Sequence, residues 1–450
     1  MSPKFKNIIL IGIDTLRADH LGCYGYKRST SPAIDELANK GVLFKNCFAQ
    51  APATAPSFMS IFTSRYPTYH GITANIGATG QGAGRYYTLD PKIPTLAEVL
   101  RINSYRTGAF TGGGNVHPRL GFGSGFDYYG VSSYGAAVNK FDPLDTTIPA
   151  SGMPIDEIQG WLGQNCKENF FLFLHTYAVH NPWEVPAAYR NLFDPGVDEA
   201  FFRPALHEYQ KIFNETAETK KKNGWNRSWA DLYHFLHTRV SSGDPQSLFY
   251  LQAIYDGAIR YVDDFVAKIL QILKDFKISD HTIIIFTSDH GEEFMEHGKL
   301  GHNQFYQELL YVPLIMNGPA QLKDRMMDSL VRSIDIYPTI LDIIGIKNNH
   351  LIQGTSIYSV SGGREDITTV AEMENYGYAL QRGKYKYIYH NNRPADARGD
   401  ELYDLETDPK ERQNIASMNR DVVQSMFAKF EEELHRGVLP HPRRDIKYLI

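Results

Sequence analysis

Three short apolar runs in this sequence end in side chains that can do chemistry. Asp14 follows 7-NIILIGI-13, Asp289 and His290 follow 282-TIIIFTS-288, and His175 and His180 flank the end of 170-FFLFLH-175. His297 and His302 come next, in a Gly-rich segment able to fold back on the tip of the second run. Carboxylates and imidazoles together make a mixed oxygen and nitrogen donor set for a metal ion. Each group also has an ordinary explanation: an Asp after a strand often caps the next helix, and a single His is more often a satisfied structural residue. Four such groups (Asp289, His290, His297 and His302) within fourteen residues are hard to explain by packing.

A fourth stretch, 54-TAPSFMSIFTSRYPTYHG-71, offers a hydroxyl. Thr54 either caps a helix, a role for which Ser57 is the more natural residue, or is an alcohol that attacks an ester. A free threonine hydroxyl is a poor nucleophile unless a divalent cation binds its oxygen. A helix starting here would aim its partial positive end at the same place and favour an anionic ester. The residues alone leave both readings open.

The elements that must position these groups follow from periodicity. Residues 7–13, 42–49, 170–175 and 282–288 read as buried strands, as short apolar runs that end abruptly do in a parallel sheet. Residues 32–41, 57–64, 95–104, 251–276 and 334–345 read as helices, with Gly closing the first and last. Strands alternate with helices to about residue 345, which predicts an α/β fold: a large, mostly parallel sheet sandwiched by helices, with ligands beyond the carboxyl ends of its strands. Past residue 360 the texture changes. Residues 384–390 and 401–405 read as antiparallel strands and 420–436 as an amphipathic helix, so the expected division is a catalytic α/β domain over 1–360 and a small α+β domain over 361–450. Residues 130–160 and 195–245 read as loop insertions.

The chain has 450 residues, 42% hydrophobic and 22% charged, with a net charge of −5. That suffices for a sizeable core, and with no basic run longer than 220-KKK-222 it gives no sign of nucleic-acid binding. Three cysteines, Cys23, Cys47 and Cys166, fit neither a zinc knuckle nor a disulfide framework. The N-terminal apolar run is too short for a signal peptide and no segment is long enough to span a membrane, so a soluble, cytoplasmic protein is expected. The tail 437–450 is a candidate for reaching a neighbouring copy in a homo-oligomer.

Taken together, the motifs resemble the sulfatase family of the alkaline phosphatase superfamily, nearly end to end. Residues 7–25 resemble the opening metal-binding segment, 54–71 the nucleophile signature, 170–183 the strand and His-x-Pro loop, and 282–294 the second metal segment. Residues 305–319, 332–345, 384–388 and 401–416 resemble later segments. The sequence also departs from the family pattern. The signature Cys (or Ser)-x-Pro-Ser-Arg, whose first residue becomes formylglycine, has Thr54 in that place and Phe58 at the Arg position, and threonine cannot become formylglycine. Neither Cys23 nor Cys47 sits in such a motif. Thr15 stands where a second aspartate is usual, His290 where Asn is usual, and His302 where a lysine contacts sulfate.

These departures are similar to the phosphoester-cleaving branches, so the resemblance implies a metal-dependent hydrolase of phosphate mono- or diesters acting through Thr54 and a covalent phospho-enzyme. The alternatives are a sulfate-ester hydrolase without formylglycine or a phosphoryl-group transferase. The implied metal ligands are Asp14, Thr54, Asp289 and His290, holding zinc or manganese in preference to calcium or magnesium, since imidazole suits borderline cations. His180 and His302 are implied to bind the ester, to protonate the leaving group or to hold a second cation. His175, His297, Lys299 and Arg65 are secondary substrate-binding candidates, Arg65 having an alternative as a buried pairing residue and Lys299 as a solvated lysine. The implied substrate is a small anionic ester.

Overall fold

The computed structural model describes residues 7–75, 88–131, 153–181, 183, 185–197, 245–318, 326–358, 367–374, 376–390 and 399–434. The expected loop insertions fall largely, and the tail 437–450 wholly, outside these residues, as does the expected domain boundary at 360.

Eight strands form the main sheet: β1 (Asn7–Ile13), β2 (Val42–Phe48), β3 (Arg106–Thr111), β4 (Tyr128–Val131), β5 (Phe170–Thr176) and β6 (Thr282–Ser288), and, after the short hairpin β7 (Glu293–Phe294) and β8 (Leu300–Gly301), β9 (Tyr311–Asn317) and β10 (Met326–Arg332). Their order is β10-β2-β9-β6-β1-β5-β3-β4. Every pairing is parallel except those of β9, which runs antiparallel to both β2 and β6. Pro313 in β9 would break a central ladder; the β2–β9 register shifts between Phe44 and Cys47, opposite it.

The sheet is covered on both faces, and the alternation along each central strand says so. In β1, Ile9, Ile11 and Ile13 join one core and Ile8 and Leu10 the other; β5 and β6 divide in the same way. The long helix Pro245–Asp275 packs in the first core. In the second lies α2 (Thr54–Thr63), taken as the second helix after α1 (Pro32–Asn39), with all of its residues buried. Gly12 permits this: a Cβ there would stand 2.5 Å from the Phe58 ring of α2. The helix begins at Thr54, three residues earlier than the expected start at Ser57, because Ser57 caps nothing. Its amide bonds Ala53 O, and its hydroxyl donates to Asp289 O at 2.7 Å, tying α2 to the end of β6.

The C-terminal part carries four antiparallel strands, β11 (Thr368–Met373), β12 (Gly377–Arg382), β13 (Tyr385–His390) and β14 (Glu401–Asp404), in sequential order, with the helix Arg420–Leu434 against them. Two of these strands were expected. Among the described residues, no helix is long and apolar enough to cross a membrane.

Candidate active site

The register of β6, β1 and β5 sets the site. Ile13 pairs with Ser288 on one side and Thr176 on the other, so Asp14 and Asp289 leave adjacent strands at the same height, with His175 the penultimate residue of the third. Asp14 N donates to Thr176 O at 3.1 Å. Ser288 knots the two loops: its hydroxyl lies 2.6 Å from Ile13 O and 2.7 Å from His290 O, and accepts from Leu16 N at 3.0 Å. Thr15 takes a left-handed conformation (φ 57°) that is costly for a β-branched residue. The turn directs its amide to Asp289 Oδ1 at 3.2 Å, while Tyr255 from the long helix accepts from Arg17 N and donates to Thr15 O, each at 2.8 Å.

Asp14, Asp289 and His290 each place one donor atom within 4.8 Å of the others, and all are fully buried. Thr54 is the first residue of α2, not its cap, and its buried hydroxyl approaches Asp14 closely enough to favour the ionised carboxyl. His175 Nε2 lies 3.7 Å from Asp14 Oδ2. Five atoms here, Asp14 Oδ1 and Oδ2, Asp289 Oδ2, His290 Nε2 and Thr54 Oγ1, have no hydrogen-bond partner among the described residues. A buried carboxylate without full compensation costs several kcal/mol; neither oxygen of Asp14 has a partner among the described residues, and Asp289 is met at Oδ1 alone, by the amides of Thr15 and His290. A divalent cation satisfies the donors at once, and the set of two carboxylates, an imidazole and a hydroxyl fits one.

The electrostatics agree. Burial, and then the neighbouring Asp289, push the Asp14 carboxyl well above the usual range, and burial raises Asp289 to about 6. Burial lowers His290 to about 3, leaving the neutral imidazole a metal requires. Its Nδ1 bonds Gly291 O at 2.8 Å, so Nε2 is the atom presented to the carboxylates.

Beyond this group stand two more imidazoles. The His302 ring lies 4.6 Å from His290 and 5.1 Å from His180, centroid to centroid. His180 Nδ1 bonds Asn181 O at 2.6 Å, which leaves Nε2 for a ligand, and burial lowers its pKa to about 4. His302 titrates above the ordinary value: burial works against this, but Glu292 holds the charge, with its Oε2 3.3 Å from His302 Nδ1. Glu292 is buried and its Oε1 has no partner among the described residues. Sequence reasoning passed over Glu292; its place between His290 and His302 in a run already rich in donors was the available signal.

Three expected residues do not join the group. Arg65 follows the C-cap of α2, about 15 Å along the helix from Thr54; its Nε has no partner among the described residues. Lys299 is exposed in the turn of the β7–β8 hairpin. His297, from the same turn, stacks on Tyr306 at 3.5 Å and lies 3.4 Å from Glu308, in a different group of side chains.

Residues 6–346 match the sulfatase family. The chain belongs to the sulfatase family. Members of this family generally bind a divalent metal. Residues 295–437 of this sulfatase-family chain match the C-terminal region of N-sulphoglucosamine sulphohydrolase. It is 22% identical to arylsulfatase K of Canis lupus familiaris, over 98% of this chain and 84% of that one. It is 25% identical to the N-acetylglucosamine-6-O-sulfatase of Bacteroides thetaiotaomicron, over 96% and 85%. In fold it is similar to the phosphonate monoester hydrolase of Agrobacterium radiobacter (TM-score 0.70, 22% identity, 96% of each chain). It is also similar to a protein solved with its substrate D-glucosamine-2-N,6-O-disulfate (TM-score 0.71, 20% identity, 99% and 100%). The chain is therefore a sulfatase-like ester hydrolase. The relatives favour sulfate esters over the phosphate esters that the sequence reading put first.

Proposed function

We propose that this chain hydrolyses a sulfate ester by attack of Thr54 Oγ1 on sulfur, with Asp14, Asp289, His290 and the Thr54 oxygen holding one zinc or manganese ion. The observation that carries the reading is that Asp14, Asp289 and His290, all buried, bring donor atoms within 4.8 Å of one another, with the Thr54 hydroxyl at the start of α2 against Asp14. When bound, the ion supplies positive charge that acidifies the Thr54 hydroxyl and offsets charge on the ester oxygens. The relative named as an N-acetylglucosamine-6-O-sulfatase points to a sulfated sugar.

The chain's own residues then have distinct tasks. Asp14, against which the Thr54 hydroxyl lies, is an acceptor for its proton. As the Thr54 O–S bond forms and the S–O bond to the leaving alcohol breaks, His302, charged through Glu292, donates a proton to the departing oxygen. His180, neutral and presenting Nε2, takes a proton from the water that opens the sulfo-threonine and releases sulfate. His175 supports Asp14, and α2 favours the anion with its partial positive end.

A second reading, phosphate-ester hydrolysis by the same steps at phosphorus, draws support from Thr54 itself. Formylglycine hydrate sheds sulfate by breaking its own C–O bond, whereas a sulfo-threonine must be opened by water at sulfur. Nitrophenyl sulfate, nitrophenyl phosphate and bis-nitrophenyl phosphate, assayed after chelation with zinc, manganese or calcium restored, separate the two. The sulfate ester is expected to turn over fastest with zinc or manganese. Faster turnover of either phosphate ester would replace the first reading by the second, and no metal-dependent turnover of any would overturn both.

A further inference from the structure

A second group of buried donors lies where the β7–β8 hairpin meets the C-terminal sheet. His297 comes from the hairpin turn, Glu308 from the short helix Gln307–Leu310, and Glu411 from the loop after β14. One donor atom from each lies within 4.8 Å of the others. His297 and Glu308 are 7% and 10% exposed at the side chain, and Glu411 is fully buried. His297 Nε2 and Glu308 Oε2 have no hydrogen-bond partner among the described residues, and Glu411 Oε1 is paired with Lys386 Nζ.

The geometry is that of ligands waiting for a shared partner. His297 Nε2 and Glu308 Oε2 are 3.4 Å apart, which is long for a hydrogen bond between them. Two ligands bound tetrahedrally at 2.0–2.1 Å stand about 3.4 Å from each other. Stacking on Tyr306 fixes the His297 ring, and Gln307 N donates to Glu411 Oε2 at 2.6 Å, which leaves Oε1 on the donor side. A cavity of about 730 Å³, lined by His297, Glu411, Glu401, Tyr403, Glu296 and Arg412 among others, gives entry from solvent. One countercharge is already present, since Lys386 Nζ is 2.7 Å from Glu411 Oε1.

We propose that His297, Glu308 and Glu411 form a second divalent-cation site, for zinc or manganese, that clamps the β7–β8 hairpin to the C-terminal sheet. One imidazole with two carboxylates is a donor set for these borderline cations. Because β8 ends at Gly301, the clamp bears directly on the segment that carries His302. Lys386 competes for Glu411, so this site binds more weakly than one at Asp14 and Asp289.

The test is zinc stoichiometry by equilibrium dialysis on the full chain, with circular dichroism as a control for folding. The double variant Asp14→Asn/Asp289→Asn is expected to retain one zinc per chain, to gain thermal stability on zinc addition, and to lose both when His297→Ala or Glu411→Gln is added. Lys386→Met is expected to tighten the retained ion at least several-fold. Should His297→Ala unfold the chain, Glu308→Gln gives the same reading with little change of shape. A double variant that binds no zinc, or one whose zinc survives all three of these substitutions, overturns the proposal. The result is independent of the first site: if Asp14 and Asp289 hold nothing, the wild type still binds a single ion that disappears with His297.

Discussion

Two groups of buried carboxylates and imidazoles sit in this molecule, and the chain treats them differently. At Asp14, Asp289 and His290 no lysine or arginine pairs with either carboxylate among the described residues, His302 stands beside His290, and both carboxyls are pushed upward by burial. At His297, Glu308 and Glu411 the chain supplies Lys386 as a countercharge, and Glu308 is held below its ordinary value: burial opposes this, and His297 outweighs it. The first group lies at the carboxyl ends of two neighbouring central strands, β1 and β6, and faces the start of α2; the second joins the main body to the C-terminal sheet, where Gln307 N, at the start of the short helix Gln307–Leu310, donates to Glu411 Oε2. Similar side chains thus serve different ends. A group that its own protein orients but leaves open, at Asp14, Asp289 Oδ2 and His290 Nε2, suits something that arrives from outside and does chemistry. A group half completed by a lysine is built to hold parts together.

Substitutions can break or sharpen that contrast. Removing the hydroxyl with Thr54→Val is expected to lower kcat by about 10⁴-fold or more, as loss of a nucleophile does, without changing zinc stoichiometry by more than the loss of one weak ligand. Retained turnover would place the chemistry elsewhere. Next comes His302→Ala, expected to reduce kcat/KM by about 10²- to 10³-fold, with the smallest losses for substrates whose leaving group needs no proton. An equal loss for nitrophenol and alkyl leaving groups would remove His302 as the acid. Glu292→Gln acts only through His302 and is expected to cost about 10- to 100-fold. Its signature is a lower apparent pKa on the acid-dependent limb of the rate profile.

The mildest probe is pH. Asp289 is raised to about 6 in the folded chain, above its unfolded value, so protons compete with the metal for it increasingly as the pH falls through 6. Zinc is expected to bind the Asp14 group about tenfold more weakly at pH 5 than at pH 7. Affinity that is flat across this range would mean that Asp289 is not a ligand.

Much of this was legible from residue types and spacing. Isoleucine-rich runs that end in a charge gave β1 and β6 at their observed bounds, and with them Asp14, Asp289 and His290 at strand tips. The start of α2 was misplaced because Ser57 looks like a cap, and only the tertiary contact to Asp289 O shows its real task. β9 was hidden by Pro313, tolerated here only beside a bulge. Arg65, His297 and Lys299 were drawn in by nearness along the chain. A ten-residue helix carries the first away from the site, and the β7–β8 turn leaves Lys299 exposed and sets His297 against Tyr306 and Glu308. Glu292 was missed for the opposite reason, since an acid among acids reads as surface until the fold shows it buried against His302.

The most direct test of the account is mass spectrometry of the chain, quenched in acid during turnover of a sulfate or phosphate ester and digested to peptides. The account predicts a sulfo or phosphoryl group on Thr54, absent from Thr54→Val and from enzyme stripped of metal. An active enzyme that accumulates no adduct under conditions where product release of the first alcohol shows a burst, or an adduct on any other residue, would contradict it.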